Sequence, residues 1–99
     1  MARYENIHGL CILAGHTFAA ADLPEQSLWI PADGTLRRIR LDSIDVPRQE
    51  VKYTDLANGR SFERDSFGFQ CRYCLVVNDA QQYAHLLDAE VRDNVPALN

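Results

Sequence analysis

The most regular alternation of apolar and polar positions lies in residues 67–77. If this stretch is a strand, its bulky side chains all lie on one face, since successive residues of a strand point to opposite sides. No other segment concentrates as much apolar surface, so the pattern predicts the central core strand of a sheet. The residues on the apolar face are Phe67, Phe69, Cys71, Tyr73, Leu75 and Val77.

Shorter alternating runs upstream predict further antiparallel strands at residues 28–30, 35–44, 50–56 and 60–64. Asp33-Gly34 and Asn58-Gly59 separate pairs of these runs, and such dipeptides favour tight hairpins because glycine accepts positive φ. Leu36 is out of phase with the alternation that follows it, which predicts a β-bulge close by.

The two ends of the chain have different patterns. Residues 1–23 fit a short strand across 10–13 and a helical spacing equally well. After Asn78 the period changes to that of a helix, with Asn78 and Gln81 forming a capping-box-like start and Pro96 following its end. This predicts a C-terminal helix over residues 78–94 with an apolar stripe formed by Ala80, Tyr83, Ala84, Leu87 and Val91.

Together these patterns predict one α+β domain over residues 1–99 that is mainly β. Residues 24–77 form its antiparallel core, a meander that curls into a small barrel or a strongly bent sheet. The C-terminal α-helix packs across an open face or end of that sheet.

Composition narrows the class of protein. An apolar content of 46% in 99 residues is typical of a globular domain and excludes a disordered chain. Three cysteines and the lack of a long apolar run predict a cytoplasmic protein with no membrane contact. The net charge of −4 counts against non-specific nucleic-acid binding, which requires a basic surface.

The pair Cys71-x-x-Cys74 has the spacing of a zinc knuckle or a redox dithiol. Both uses need a turn or a helix start at the motif, whereas the predicted strand sends positions three apart to opposite faces. We therefore interpret both as structural cysteines and predict no metal site, cofactor or catalytic residue. A small zinc-binding protein that uses Cys71 and Cys74 stays an alternative.

A basic cluster is the first candidate binding surface. A sheet face with arginines and an aromatic ring could follow a phosphate backbone, so the alternative function is a nucleic-acid-binding regulator. Ordinary cross-strand charge pairing with nearby acids explains the same pattern somewhat better. The residues of this candidate surface are Arg37, Arg38, Arg40, Lys52 and Trp29, with Tyr53 as a second stacking ring.

The predicted C-terminal helix is the second candidate surface. Four acidic residues lie outside its apolar stripe, and they are most simply a solvated face. They could also imitate phosphates for the basic groove of a protein partner. These residues are Asp79, Asp88, Glu90 and Asp93.

Several short motifs in residues 24–77, taken together, resemble the pattern of a family of short uncharacterised phage and prophage proteins. The resemblance rests on the Leu28-Trp29 strand, the Val51-x-Tyr53 strand and a closing Phe69-x-x-Arg72-Tyr73-x-Leu75-Val76. The sequence departs from the family pattern where Glu25 and Gln26 stand in place of glycine. The resemblance implies a viral or prophage origin and an SH3-like barrel, and carries no catalytic residues across.

The leading functional hypothesis is therefore a non-catalytic protein of phage or mobile-element type. It would act in the cytoplasm of the host cell by engaging or inhibiting a host macromolecule. A nucleic-acid-handling defence or transcription complex is one such partner. A homodimer is possible because a small β domain exposes an edge strand.

Overall fold

A computed structural model of the chain describes residues 3–77, which fold as one open, mainly β sheet with one short α-helix. The elements are β1 (Arg3–Ile7), β2 (Leu10–Ala14), a 3₁₀ turn (Ala20–Asp22), β3 (Leu28–Pro31), β4 (Ile39–Asp45), β5 (Glu50–Asp55), β6 (Ser61–Asp65), α1 (Ser66–Arg72) and β7 (Tyr73–Val76). All seven strands pair antiparallel in the order β1-β2-β7-β3-β4-β5-β6. The sheet is not closed, so the predicted SH3-like barrel is not confirmed, whereas the mainly antiparallel β class is.

The predicted strand over residues 67–77 is wrong in its first half. Asp65 accepts a hydrogen bond from the backbone N–H of Gly68 at 2.9 Å and caps α1, which runs to Arg72. Phe69 is fully buried, but Phe67 is 48% exposed and Cys71 is exposed, so these three do not share a face. Only the second half is a strand, β7, which lies in the middle of the sheet.

β4 and β5 follow the predicted alternation. Ile39, Leu41, Val51 and Tyr53 are buried, and Asn58-Gly59 lies in the loop that joins β5 to β6, with Gly59 at φ 73°. The predicted alternation is therefore confirmed for the inward positions of β4 and β5.

Two details upstream of β4 differ from the prediction. The segment between β3 and β4 is a connection over residues 32–38, so Asp33-Gly34 is not a two-residue hairpin. The β-bulge lies between Leu41 and Ser43 instead of next to Leu36, because Leu36 precedes the strand.

The N-terminal segment, whose sequence fitted a strand and a helix equally well, forms strands. β1 and β2 form a hairpin, and the segment between β2 and β3 contains only the 3₁₀ turn. The predicted C-terminal helix, residues 78–94, lies outside the described residues. Within residues 3–77, no helix has the length and apolar character needed to cross a membrane.

The two faces of the sheet carry separate apolar clusters. On the first face, α1 and the segment that follows β2 pack on the strands, so Phe69, Phe18 and Leu23 join Trp29 and Tyr53 in the main core. On the second face, Ile12, Ile30 and Val76 form a smaller cluster, bordered by Ile7, Leu10, Leu28 and Cys74.

Candidate binding surface at one end of the sheet

In the predicted basic cluster, Arg40 and Lys52 each lie beside an acidic side chain, and Trp29 is buried. Arg40 on β4 pairs with Asp42 at 2.6 Å, and Lys52 on β5 lies 3.5 Å from Glu63. Trp29 is only 2% exposed, and its indole N–H donates to Ser27 Oγ at 2.8 Å. Its ring therefore belongs to the core and presents no open face on which a base could stack.

A different set of arginines meets at one end of the sheet. β3 and β5 end there, and β4, β6 and β7 begin there, because neighbouring strands are antiparallel. All four arginines at this end are exposed. We call this surface the arginine end. It is formed by Arg37, Arg38, Arg60, Arg72, Leu36 and Leu56.

Asp55, the last residue of β5, organises the arginine end. Its side chain is 2% exposed, and it accepts hydrogen bonds from the guanidinium of Arg37 and from the backbone N–H of Ala57, the latter at 2.9 Å. Its backbone N–H donates to the carbonyl of Arg60 at 2.9 Å. One buried carboxylate therefore joins the connection before β4 to the loop after β5.

The same contacts fix the charge of Asp55. The hydrogen bond from Arg37, followed by that from the Ala57 N–H, holds the pKa of Asp55 below its ordinary value. Asp55 in turn raises the pKa of Arg37 through the same hydrogen bond. Each group therefore favours the charged form of the other, and this ion pair anchors the connection before β4.

Two exposed leucines stand beside these arginines. Leu36 is 60% exposed and directly precedes Arg37, and Leu56 is 45% exposed and directly follows Asp55. The backbone N–H of Leu56 donates to the carbonyl of Arg38 at 2.9 Å, which ties the two leucine-bearing segments together. The surface thus combines apolar and basic groups on a fixed backbone.

Three of the four arginines have no carboxylate partner among the described residues. Within residues 3–77, only Arg37 of this set forms an ion pair, whereas Arg38, Arg60 and Arg72 form none. A guanidinium without a carboxylate partner keeps all its donors for an anionic group on another molecule. The arginine end is therefore suited to an acidic partner.

A cleft of about 490 Å³ opens at the same end, between the connection before β4 and the end of α1. Beside it, the Tyr53 hydroxyl accepts a hydrogen bond from Arg64 Nε at 3.5 Å. The pKa of Tyr73, which lines the cleft, is raised by burial and, to a smaller extent, by the neighbouring Tyr53. The cleft is lined by Pro31, Ala32, Asp33, Thr35, Arg37, Cys71, Arg72 and Tyr73.

The cysteine pair does not form a knuckle. Cys71 is exposed on α1, and Cys74 is half-buried on β7, where burial and then the Glu5 carboxylate raise the pKa of its thiol. Burial also raises the pKa of Cys11. No group of three or more potential metal ligands occurs among residues 3–77, and His85 lies outside them.

Sequence reasoning missed Asp55, Arg72 and both leucines as members of a surface. The signals were present, because Leu36 and Leu56 each flank a predicted Asx-Gly turn, where an apolar side chain has no core to enter. The acidic residues predicted to bind a partner, Asp79, Asp88, Glu90 and Asp93, lie outside the described residues.

No family model, curated protein or solved structure matches the chain. The resemblance to phage proteins therefore stays a prediction.

Proposed function

We propose that the chain is a non-catalytic binding protein that recognises an acidic, partly apolar surface of a protein partner through the arginine end. The observation that supports this most directly is the exposure of Leu36 and Leu56 beside Arg38 and Arg60. The grouping of these leucines with arginines at one end of the sheet supports a contact surface, since apolar patches rimmed by polar groups mark interaction sites.

A protein partner fits this surface better than a nucleic acid. Protein interfaces combine apolar contacts with a polar rim, and arginine is among the residues enriched in them. Protein surfaces that bind single-stranded nucleic acid combine basic groups with aromatic rings on which bases stack, and the only tryptophan of this chain is in the core. The phage or mobile-element origin, the host location of the partner and the inhibitory role remain part of the proposal on the strength of the resemblance alone.

The nucleic-acid alternative is kept because Arg38, Arg60 and Arg72 form no ion pair among residues 3–77. If they contact phosphates, binding to DNA or RNA should occur at low salt and weaken as salt is added. The absence of binding at low salt would remove this alternative.

The leucines provide the sharpest test of the proposal. Leu36→Asp combined with Leu56→Asp should weaken capture of a partner from nuclease-treated lysate by about tenfold or more, because both apolar contacts are lost and acidic groups are added. Quantitative affinity purification with mass spectrometry measures the change. Circular dichroism and thermal unfolding should show an unchanged fold, since neither side chain is buried.

Val46 offers a matched control. It is 46% exposed, like Leu56, but lies in the turn between β4 and β5 at the opposite end of the sheet. Val46→Asp should leave capture unchanged. Equal capture by the double leucine variant, or an equal loss with Val46→Asp, would contradict a contact surface at the arginine end.

A further inference from the structure

β6 is an edge strand, and one of its sides has no strand partner among residues 3–77. In the β5–β6 ladder, hydrogen-bonded and non-hydrogen-bonded pairs alternate, and the Asp55 N–H donates to the Arg60 carbonyl at 2.9 Å. Every second residue after Arg60, including Phe62, therefore bonds to β5. Ser61 and Glu63 instead point their N–H and C=O groups away from β5, as a template for another strand.

A row of aromatic rings leads from the main core to this edge. The ring centroids of Phe69 and Tyr53 are 5.0 Å apart, and Tyr53 stacks on Phe62 at 5.6 Å with 27° between the ring planes. The row ends at Phe62, which is 42% exposed. Among the exposed large hydrophobic residues of the described chain, it alone lies on a strand. An apolar ring therefore lies open beside the unpaired backbone groups.

We propose that β6 pairs antiparallel with β6 of a second copy of the chain, in the register that places Phe62 opposite Phe62 of that copy. A two-fold axis perpendicular to the sheet keeps each side chain on its own face, so it passes between identical residues. Ser61 then bonds through its backbone to Glu63 of the second copy, and Glu63 to Ser61 of the second copy. The two Phe62 side chains form a non-hydrogen-bonded pair, in which side chains approach most closely.

Charge selects this register over its neighbours, because like charges directly opposite each other destabilise a pair of strands. An axis between the two Glu63 residues would place their carboxylates opposite each other. An axis between the two Arg64 residues would place Glu63 opposite Asp65 of the second copy. With Phe62 at the axis, Glu63 is opposite a serine. The like-charged pair that remains, Arg64 with Arg60 of the second copy, lies at the ends of the ladder, where Arg60 is exposed and precedes β6.

The other edge of the sheet lacks these features. β1 carries no exposed large hydrophobic residue, and its Arg3 and Glu5 side chains pair with each other at 3.0 Å. β6 is complementary to itself in both its ring and its charges. Because a contact through one five-residue strand is small, the dimer is weak and forms at high protein concentration. The inference is independent of the function proposed for the arginine end.

Sedimentation equilibrium from micromolar to millimolar concentration measures the dimer directly, and the wild type should pass from monomer to dimer in this range. Phe62→Asp should raise the Kd of the dimer by about tenfold or more, because the paired rings are lost and two carboxylates are opposed. Phe67→Asp is the matched control, since Phe67 is 48% exposed but lies on α1, and its Kd should equal that of the wild type. A wild type that stays monomeric, or an equal change in the two variants, would overturn the proposal.

Proline separates pairing across the edge from pairing within the sheet. Glu63→Pro removes an N–H that points outward, which an edge strand tolerates, and should abolish the dimer with only a small fall in Tm. Arg64→Pro removes an N–H that bonds to β5 and should lower Tm much more. Sedimentation and thermal unfolding followed by circular dichroism give both readouts. A dimer that persists in Glu63→Pro would place the interface elsewhere and contradict the proposal.

A cross-link decides the question if these variants do not fold. In a Cys71→Ser background, which removes the exposed thiol, Phe62→Cys should form a disulfide between two copies under copper–phenanthroline oxidation. The reason is that a non-hydrogen-bonded pair brings its Cα atoms to about 4.5 Å. Glu63→Cys should form far less, since this position is opposite Ser61 of the second copy. Non-reducing electrophoresis and mass spectrometry identify the bond. Equal cross-linking by the two variants, or none by Phe62→Cys, would rule out the pairing.

Discussion

The β4–β5 hairpin has an aspartate at each end, and the two have the same kinds of partner. Asp45, at the turn, accepts from the backbone N–H of Arg48 at 3.3 Å and lies 4.0 Å from its Nε. Asp55, at the open end, accepts from the Ala57 N–H and from the Arg37 guanidinium. The two differ in their exposure to solvent, since the Asp45 side chain is 52% exposed and that of Asp55 is 2% exposed.

This comparison shows that burial, more than the presence of an ion pair, decides what a charge does for the fold. An exposed pair competes with water and salt and contributes little. A buried carboxylate that loses its partners is left desolvated, so removing either partner of a buried pair lowers the stability of the fold. The arginine end therefore depends on Asp55, whereas the turn at residues 46–49 does not depend on Asp45.

Replacement of Asp55 should give the largest effect. Asp55→Ala removes the acceptor of both Arg37 and the Ala57 N–H, so the two segments of the arginine end lose their common anchor. We expect a clear fall in Tm, larger than for any exposed charge in residues 3–77. Thermal unfolding followed by circular dichroism measures it.

Asp55→Asn is the matched variant, because it keeps the shape and one acceptor oxygen but removes the charge. Its Tm should lie between those of the wild type and Asp55→Ala. If the Asn variant is as stable as the wild type, the charge of Asp55 has no structural role and the comparison with Asp45 fails.

The second effect is a dependence on pH. Because the pKa of Asp55 is lowered in the folded state, the unfolded chain takes up a proton before the folded chain does. The stability due to its charge is complete above the ordinary aspartate pKa of about 3.9 and is lost as the pH falls through the lowered folded value.

Urea unfolding of the wild type and Asp55→Asn from neutral pH downwards tests this directly. The difference between their free energies of unfolding should be constant near neutrality and shrink as the medium becomes acidic below that value. Asp33 and Asp42 also have lowered pKa values, but they are present in both proteins and cancel. A difference that does not change with pH would contradict the assignment.

Residues 67–77 show why part of the fold could be predicted and part could not. The alternation that suggested one long strand is also compatible with a short helix in its first half, because Ser66 and Phe69 are three positions apart, share a helical face and are both buried. The ring of Phe69 on α1 packs on that of Tyr73 on β7, with centroids 5.1 Å apart. The helix is favoured by its N-cap, in which the Asp65 carboxylate accepts a hydrogen bond from the backbone N–H of Gly68. The alternation of apolar and polar residues contains no information about this contact.

The candidate surface was harder to predict than the strands. Inward positions such as Ile39 and Val51 follow from a period of two, which is a local property of the chain. The arginine end instead gathers Arg37, Arg60 and Arg72 through the antiparallel order of the strands. Nothing in the local sequence marks Asp55 as buried, since its burial depends on the loops that close over it.

Replacement of Asp45 should give the smallest effect and so tests the other side of the comparison. Asp45→Ala removes an acceptor from Arg48, but both groups remain accessible to water. The free energy of unfolding should change by no more than about 0.5 kcal/mol, with no effect on partner capture. Urea unfolding beside Asp55→Ala gives the measurement. A loss for Asp45→Ala as large as that for Asp55→Ala would show that exposure does not separate the two carboxylates, and that the turn end is held by its charges as firmly as the arginine end.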